Sequence, residues 1–228
     1  MPVLQNRAFH YEGYTDELFS FNYFVLFFFV VSCKSNNIRR LELIAESGDH
    51  EAQGNLGFMY QYGYGVKGNI KEAIKWYKLA ASDGDPVAEG TVGRLYFEMD
   101  DYQNALPWFK KCALHGNSDC QGMVGTMYLY SQGVSKNMGE AKRWLKKSAD
   151  QGNGSAQCYM GDIYFNEKSY EQAFPYLQKA FEKSCATAAK HLSKMYQDGL
   201  FVKENAVQAK KMSEKYADFK AQDDASED

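Results

Sequence analysis

Histidine, cysteine and serine are the side chains in this 228-residue chain that could ligate a metal or attack a carbonyl, and their spacing argues against both. His10, His50, His115 and His191 never stand four apart and none flanks a C-x-x-C, so no metal site is expected. No serine has a lysine three residues later, and neither G-x-S-x-G nor G-x-x-x-x-G-K occurs. Gly63-Tyr64-Gly65 follows a helical pattern and not a strand, which removes the setting a phosphate cradle needs. No catalytic residue and no cofactor are therefore expected. Among the five cysteines, Cys112 and Cys120 stand eight apart in CALHGNSDC, where one helical pattern ends and the next begins. Helix ends joined by a short turn can bring two such side chains within disulfide range. Two small buried residues are the other reading.

Composition narrows the class. Twenty-six Lys and Arg against 29 Asp and Glu give a net charge of −3, and 45% of residues are apolar. That excludes a disordered chain and a polybasic nucleic-acid binder, so no nucleic-acid partner is expected. The most apolar stretch, FSFNYFVLFFFVV from Phe19 to Val31, is shorter than the roughly 20 residues that span a bilayer. Val30-Val31-Ser32-Cys33 then resembles a bacterial lipobox, in which Cys33 becomes the acylated first residue. The flank is unusual for an export signal: Arg7 stands against Glu12, Asp16 and Glu17, a mismatch that a start near Leu18 would remove. The favoured reading is a signal over 1–33, a lipid anchor at Cys33 and placement in the bacterial cell envelope. An uncleaved anchor and a cytoplasmic protein whose apolar segment packs on the fold are the alternatives. In the favoured reading the chain meets a membrane only through this segment.

Self-comparison shows what the rest of the chain must build. The segments AQGNLGFMY, AEGTVGRLY, CQGMVGTMY, AQCYMGDIY and AAKHLSKMY align, so that Gly57, Gly93, Gly125, Gly161 and Ser193 recur at steps of 36, 32, 36 and 32. A tyrosine follows each by three residues. A second comb runs through Ala73, Ala105, Ala141, Ala173 and Ala209, followed three residues on by Trp76, Trp108, Trp144, Tyr176 and Met212. Residues three apart share a helix face, so each unit reads as two helices crossing at a small residue, with the large ring filling the gap beside the crossing. Such a hairpin leaves one apolar side uncovered, and only stacking on neighbours buries it.

The longer units carry a glycine-bearing loop, GYGVKGN after Tyr62 and QGVSKN after Ser131, with DGLFVKEN as the variant in unit five. The shorter ones join their helices through Met99-Asp100-Asp101 and Glu167-Lys168-Ser169, where Asp and Ser can cap. Pro107 and Pro175 are placed early in the second helix, where a missing N–H costs least. Ahead of unit one, RRLELIAESGDHEA copies the end of a second helix and forms a capping half-repeat. The fold expected is all-α: a right-handed α-solenoid over 36–219 with repeats at about 52–87, 88–119, 120–155, 156–187 and 188–219. An acidic, disordered tail at 220–228 follows.

These residues resemble the Sel1-like repeat family, a relative of the tetratricopeptide repeat. The motif A-x-x-x-L-G-x-x-Y, G-x-G-V, A-x-x-W-Y-x-x-A-A-x-x-G is matched almost throughout from Ala52 to Gly84. Units two and four lack the loop and look more like plain tetratricopeptide repeats. The resemblance implies a scaffold or adaptor for protein complexes. It also implies a staple between Cys112 and Cys120, because cysteine-rich Sel1-like proteins of secreted type share that spacing; Cys158 and Cys185 do not share it, and their pairing stays open. Some of those relatives carry a β-lactamase label, which makes an envelope hydrolase one competing expectation and an intracellular adaptor another.

In tetratricopeptide-like stacking the first helix of each pair lines the concave side, and residues one, four and five after the small position face the groove. Those are Phe58, Gln61 and Tyr62; Arg94, Phe97 and Glu98; Thr126, Leu129 and Tyr130; Asp162, Phe165 and Asn166; and Lys194, Gln197 and Asp198, of which Phe58, Tyr62, Arg94, Phe97, Thr126, Tyr130, Asp162, Phe165 and Lys194 are the expected binding residues. The rings are equally suited to packing between repeats. If exposed, they are anchors for a protein or peptide segment, with Arg94, Asp162 and Lys194 setting polarity. A monomer is expected.

Overall fold

The computed structural model describes residues 37–226, and every regular element within them is helical. The lipobox, with Cys33, lies outside the described residues. Helix α1 (37–46) precedes five antiparallel pairs: α2 (His50–Tyr62) with α3 (Ile70–Ala80), α4 (Pro86–Glu98) with α5 (Tyr102–Leu114), and α6 (Ser118–Tyr130) with α7 (Met138–Asp150). Then come α8 (Gly154–Asn166) with α9 (Tyr170–Glu182) and α10 (Ala186–Asp198) with α11 (Ala206–Ser226). Each helix packs chiefly on its sequence neighbours, the arrangement of an α-solenoid. Among the described residues no helix is long and apolar enough to cross a membrane.

Local chemistry starts these helices. Asp49, Asn69, Asp85, Asp101, Asn117, Asn137 and Asn153 each accept a hydrogen bond from a first-turn backbone N–H, a contribution of about 1 kcal/mol apiece. Ser169 stands at the N-cap of α9 without using its hydroxyl. Pro107 and Pro175 lie deeper than the sequence suggests, at the sixth residue of α5 and α9. The carbonyls they leave unpaired belong to Gln103 and Glu171, which are exposed and can bond water instead.

The glycine comb stands at successive equivalent crossings. A Cβ on Gly57, Gly93, Gly125 or Gly161 would come within 3.0 Å of Tyr77, Phe109, Leu145 or Leu177 respectively. The filler is thus the residue four after the alanine of the second comb, not three. Trp76, Trp108 and Trp144 turn the other way, onto the preceding unit: Trp76 joins Ala45, Ala52 and Leu56, Trp108 lies against Ala80, Ala81 and Ala88, and Trp144 packs with Cys112 and Cys120. Adjacent positions on a helix point about 100° apart, so one faces the partner helix and the next faces the neighbouring repeat. In unit five Ser193 replaces glycine, and its hydroxyl donates to the Ala209 carbonyl at 2.8 Å.

Buried glutamines tie the units together. Gln53, Gln121 and Gln157 donate to the carbonyls of Ala45, Ala113 and Ala149 at 2.9, 3.1 and 3.1 Å. Unit two holds Glu89 at this place, 3.0 Å from His115 Nδ1. At the far end α11 runs to Ser226, where the sequence points to an unstructured tail from Lys220. No proline or glycine interrupts Ala206–Ser226, and the pairs Lys210–Glu214 and Lys215–Asp218 favour helix on its exposed face.

Candidate protein-binding groove

The first helices of successive units present a common wall. Between α4, α6 and α8 it opens into a trough of about 450 Å³, lined by Phe97, Met123, Thr126, Tyr130 and Tyr159, with Asp119, Gln132 and Asn153 at its polar edges.

The residues selected from sequence divide into three groups. Phe97, Thr126 and Tyr130 line the trough together. Phe58 and Tyr62 lie one unit earlier, 48% and 54% exposed, and form an aromatic group with Tyr64 at centroid distances of 4.7 and 5.6 Å from Phe58. The remaining four are engaged within the chain. Arg94 pairs with Glu98 and Lys194 with Asp198, each one helical turn away. Asp162 receives His191 Nε2 at 2.7 Å, and this hydrogen bond holds its carboxyl below the ordinary value. Phe165 stacks on His191 at 4.0 Å.

Phe97 and Phe165 share a reason for being half-buried. Each meets the first residue of the next helix, Tyr102 at 5.0 Å and Tyr170 at 5.4 Å, because the tight connections of units two and four fold that ring back onto them. Tyr130, in a looped unit, is 57% exposed and meets Tyr159 edge to face at 6.1 Å. Burial, with Tyr159 and Asp162 nearby, raises its phenol above the ordinary value.

Met123 and Tyr159 were not selected from sequence. Both stand two residues before the small position, which is one turn back from position one on the same face; extending the periodicity toward the N-terminus finds them. The loop of unit three adds Gln132, held there because Gly133, at φ 67°, lies against the Tyr102 carbonyl of the preceding unit with no room for a Cβ. Two cysteine pairs lie at disulfide distance. Cys112 and Cys120 have Cα atoms 5.8 Å apart, and Cys158 and Cys185, whose pairing the sequence leaves open, have theirs 6.3 Å apart. The first pair bridges units two and three, and the second joins α8 to the residue that caps α10.

The Sel1 repeat matches residues 50–85, 118–153 and 186–218, and the Tetratricopeptide repeat matches 90–113 and 155–182. The chain belongs to the Sel1-like repeat family. Looped units one, three and five of this Sel1-like protein carry the Sel1 match, and loopless units two and four carry the tetratricopeptide one. A protective antigen of uropathogenic Escherichia coli with an SLR fold is 31% identical, with a TM-score of 0.67 over 79% of this chain and 40% of that one. A Sel1 repeat protein from Oxalobacter formigenes is 29% identical, with a TM-score of 0.64 over 81% of this chain and 79% of that one. A sel1-like repeat-containing protein of Acanthamoeba polyphaga mimivirus is 41% identical over 59 residues, which cover 26% of this chain and 11% of the relative. The Sel1-like chain thus spans well under half of the antigen and a small part of the viral protein.

Proposed function

We propose that this Sel1-like protein is a non-enzymatic scaffold that binds a segment of another protein in the trough between α4, α6 and α8. The observation that carries the reading is the trough itself: an open channel floored by rings and a methionine, edged by neutral amides and one carboxylate. Such a lining supplies apolar anchorage and hydrogen bonds for an extended chain. Because the walls are helices fixed by glycine crossings, little order has to be created on binding. The pairs Cys112–Cys120 and Cys158–Cys185 at disulfide distance support an oxidising compartment, and the lipobox in the sequence supports a reading in which the protein sits in the bacterial envelope, tethered through Cys33.

A photo-crosslinking residue at Thr126, inside the trough, is compared with one at Leu114, which is 74% exposed on another face. Adducts of defined size from Thr126 and none from Leu114 are expected. Adducts from Leu114 alone move the site off the trough. Incorporation of labelled palmitate that disappears in Cys33→Ser tests the tether.

A further inference from the structure

The chain has a consistent way of treating its own aromatic rings. At each of three successive repeat junctions a lysine ammonium lies near a tyrosine: Lys78 is 5.0 Å from the Tyr96 ring, Lys110 is 5.1 Å from Tyr128 and Lys142 is 5.3 Å from Tyr164. Lys78 and Lys110 also donate to the phenol oxygens, at 2.6 and 2.8 Å. Trp144 is attended likewise by Arg143 and Lys147. These side chains are matched by cations from within, at the phenol oxygen in Tyr96 and Tyr128.

The trough reverses that pattern. Phe97, Tyr130 and Tyr159 bring three rings together, and among the described residues no lysine or arginine lines the space they enclose. Its charged lining residue is Asp119, an exposed carboxylate at the start of α6. Asp119 accepts one hydrogen bond, from the Asn153 amide at 2.8 Å, which fixes its orientation and uses only part of its acceptor capacity. Met123 offers a soft apolar surface between the carboxylate and the rings. A positioned carboxylate beside an apolar floor fits a positive charge at the end of a hydrocarbon stem: the charge meets Asp119 and the stem packs on Met123, while the rings of Tyr130 and Tyr159, farther along α6 and α8, receive an apolar part of the same segment.

Resting on the reading of this trough as a protein-binding groove, we infer that the bound segment is basic and sets a lysine or arginine side chain against Asp119, its stem on Met123, with an apolar part of the segment on Tyr130 and Tyr159. The charge missing from the lining is the one the partner brings. An acidic segment would set its carboxylates against Asp119, where the arginine of the adjoining hollow, Arg94, is already paired with Glu98, and a purely apolar anchor would leave Asp119 facing a group it cannot bond.

Random peptides displayed on phage are selected against the intact protein, and the tightest is synthesised with a fluorophore and measured by anisotropy. The expected result is enrichment of Lys or Arg at one position. Replacing that residue by norleucine weakens binding about tenfold, and Tyr159→Leu and Asp119→Asn each weaken it about three- to tenfold. Asp119→Asn also flattens the dependence on salt, while keeping an acceptor for Asn153, so that an unchanged melting curve separates recognition from folding. Peptides that lose affinity in Tyr130→Ala but are indifferent to norleucine and to Asp119→Asn overturn the basic partner and leave the groove standing. Peptides indifferent to all trough substitutions, or a selection that yields no binder, overturn the groove as well.

Discussion

Gly125 and Leu145 meet so closely that a Cβ on the glycine would stand 2.6 Å from Leu145 Cγ and 3.0 Å from the Leu145 backbone nitrogen. The side chain could rotate away, but the backbone cannot without moving α7 off α6. Gly125→Ala is therefore expected to cost about 1–3 kcal/mol, as overpacking does. Gly54, in the interior of α2, has nothing within 4 Å of its would-be Cβ. Gly54→Ala gains helix propensity without a clash and should stabilise by about 0.5–1 kcal/mol. Denaturant unfolding followed by helical circular dichroism compares the two. The same sign for both would refute the role given to the crossing.

The two cysteine pairs act on different lengths of chain. Cys112–Cys120 closes a separation of 8 residues and Cys158–Cys185 one of 27. Once oxidised, they restrict the unfolded chain by about 2.5 and about 3.5 kcal/mol on the loop-entropy account. Cys112→Ala with Cys120→Ala recreates the alanines that stand at 80 and 88, so its loss is expected to be the constraint and little else. Cys158→Ala with Cys185→Ser keeps a capping side chain on Ala188 N–H and should cost more. Unfolding with and without reductant checks the order; a larger loss from the shorter loop would contradict the account.

The interaction of Asp162 with His191 has a signed pH dependence. The hydrogen bond from His191 lowers the Asp162 pKa in the folded chain, so the unfolded state binds its proton first as pH falls. The associated stability is present in full above the ordinary carboxylate range, about pH 4, and is lost as pH drops through the depressed folded value. Asp162→Asn should therefore lose less stability than the parent between about pH 5 and about pH 2, with the two curves converging at the acid end. Melting temperature against pH measures this. Parallel curves would show that the contact carries no proton linkage.

The glycine and alanine combs made the solenoid legible, because a helix crossing tolerates few residue types and repeats them at a fixed period. The direction of each large side chain was not legible. Trp76 and Tyr77 are both large and adjacent, and the sequence does not say that the first covers the preceding unit while the second fills the crossing. The groove was legible in outline through Phe97, Thr126 and Tyr130, but counting only forward from the small position missed Met123 and Tyr159. Phe97 and Phe165 looked equivalent to Leu129 and Gln61; only the geometry of the tight connection turns their rings onto Tyr102 and Tyr170. Cys158 and Cys185 are 27 residues apart across a helical hairpin, a separation with no local signature.

Ser131 ends α6 in the left-handed region, at φ 61°, where units one and five place Gly63 and Gly199 at φ 73° and 65°. A side chain at that φ brings its Cβ toward the neighbouring carbonyl, which costs about 1–2 kcal/mol per residue, whereas glycine has no such penalty. Ser131 is exposed at the rim of the loop that carries Gln132 to the trough, so its replacement removes no buried contact. Part of the gain is offset by the greater freedom of glycine in the unfolded chain. Ser131→Gly is expected to stabilise the protein by about 0.5–1 kcal/mol, read as a higher denaturant midpoint at unchanged slope. Peptide binding in the trough should stay as it was, since the C-cap conformation and the position of Gln132 are retained. A lower midpoint would mean that the serine hydroxyl supports the loop in a way its backbone conformation does not reveal.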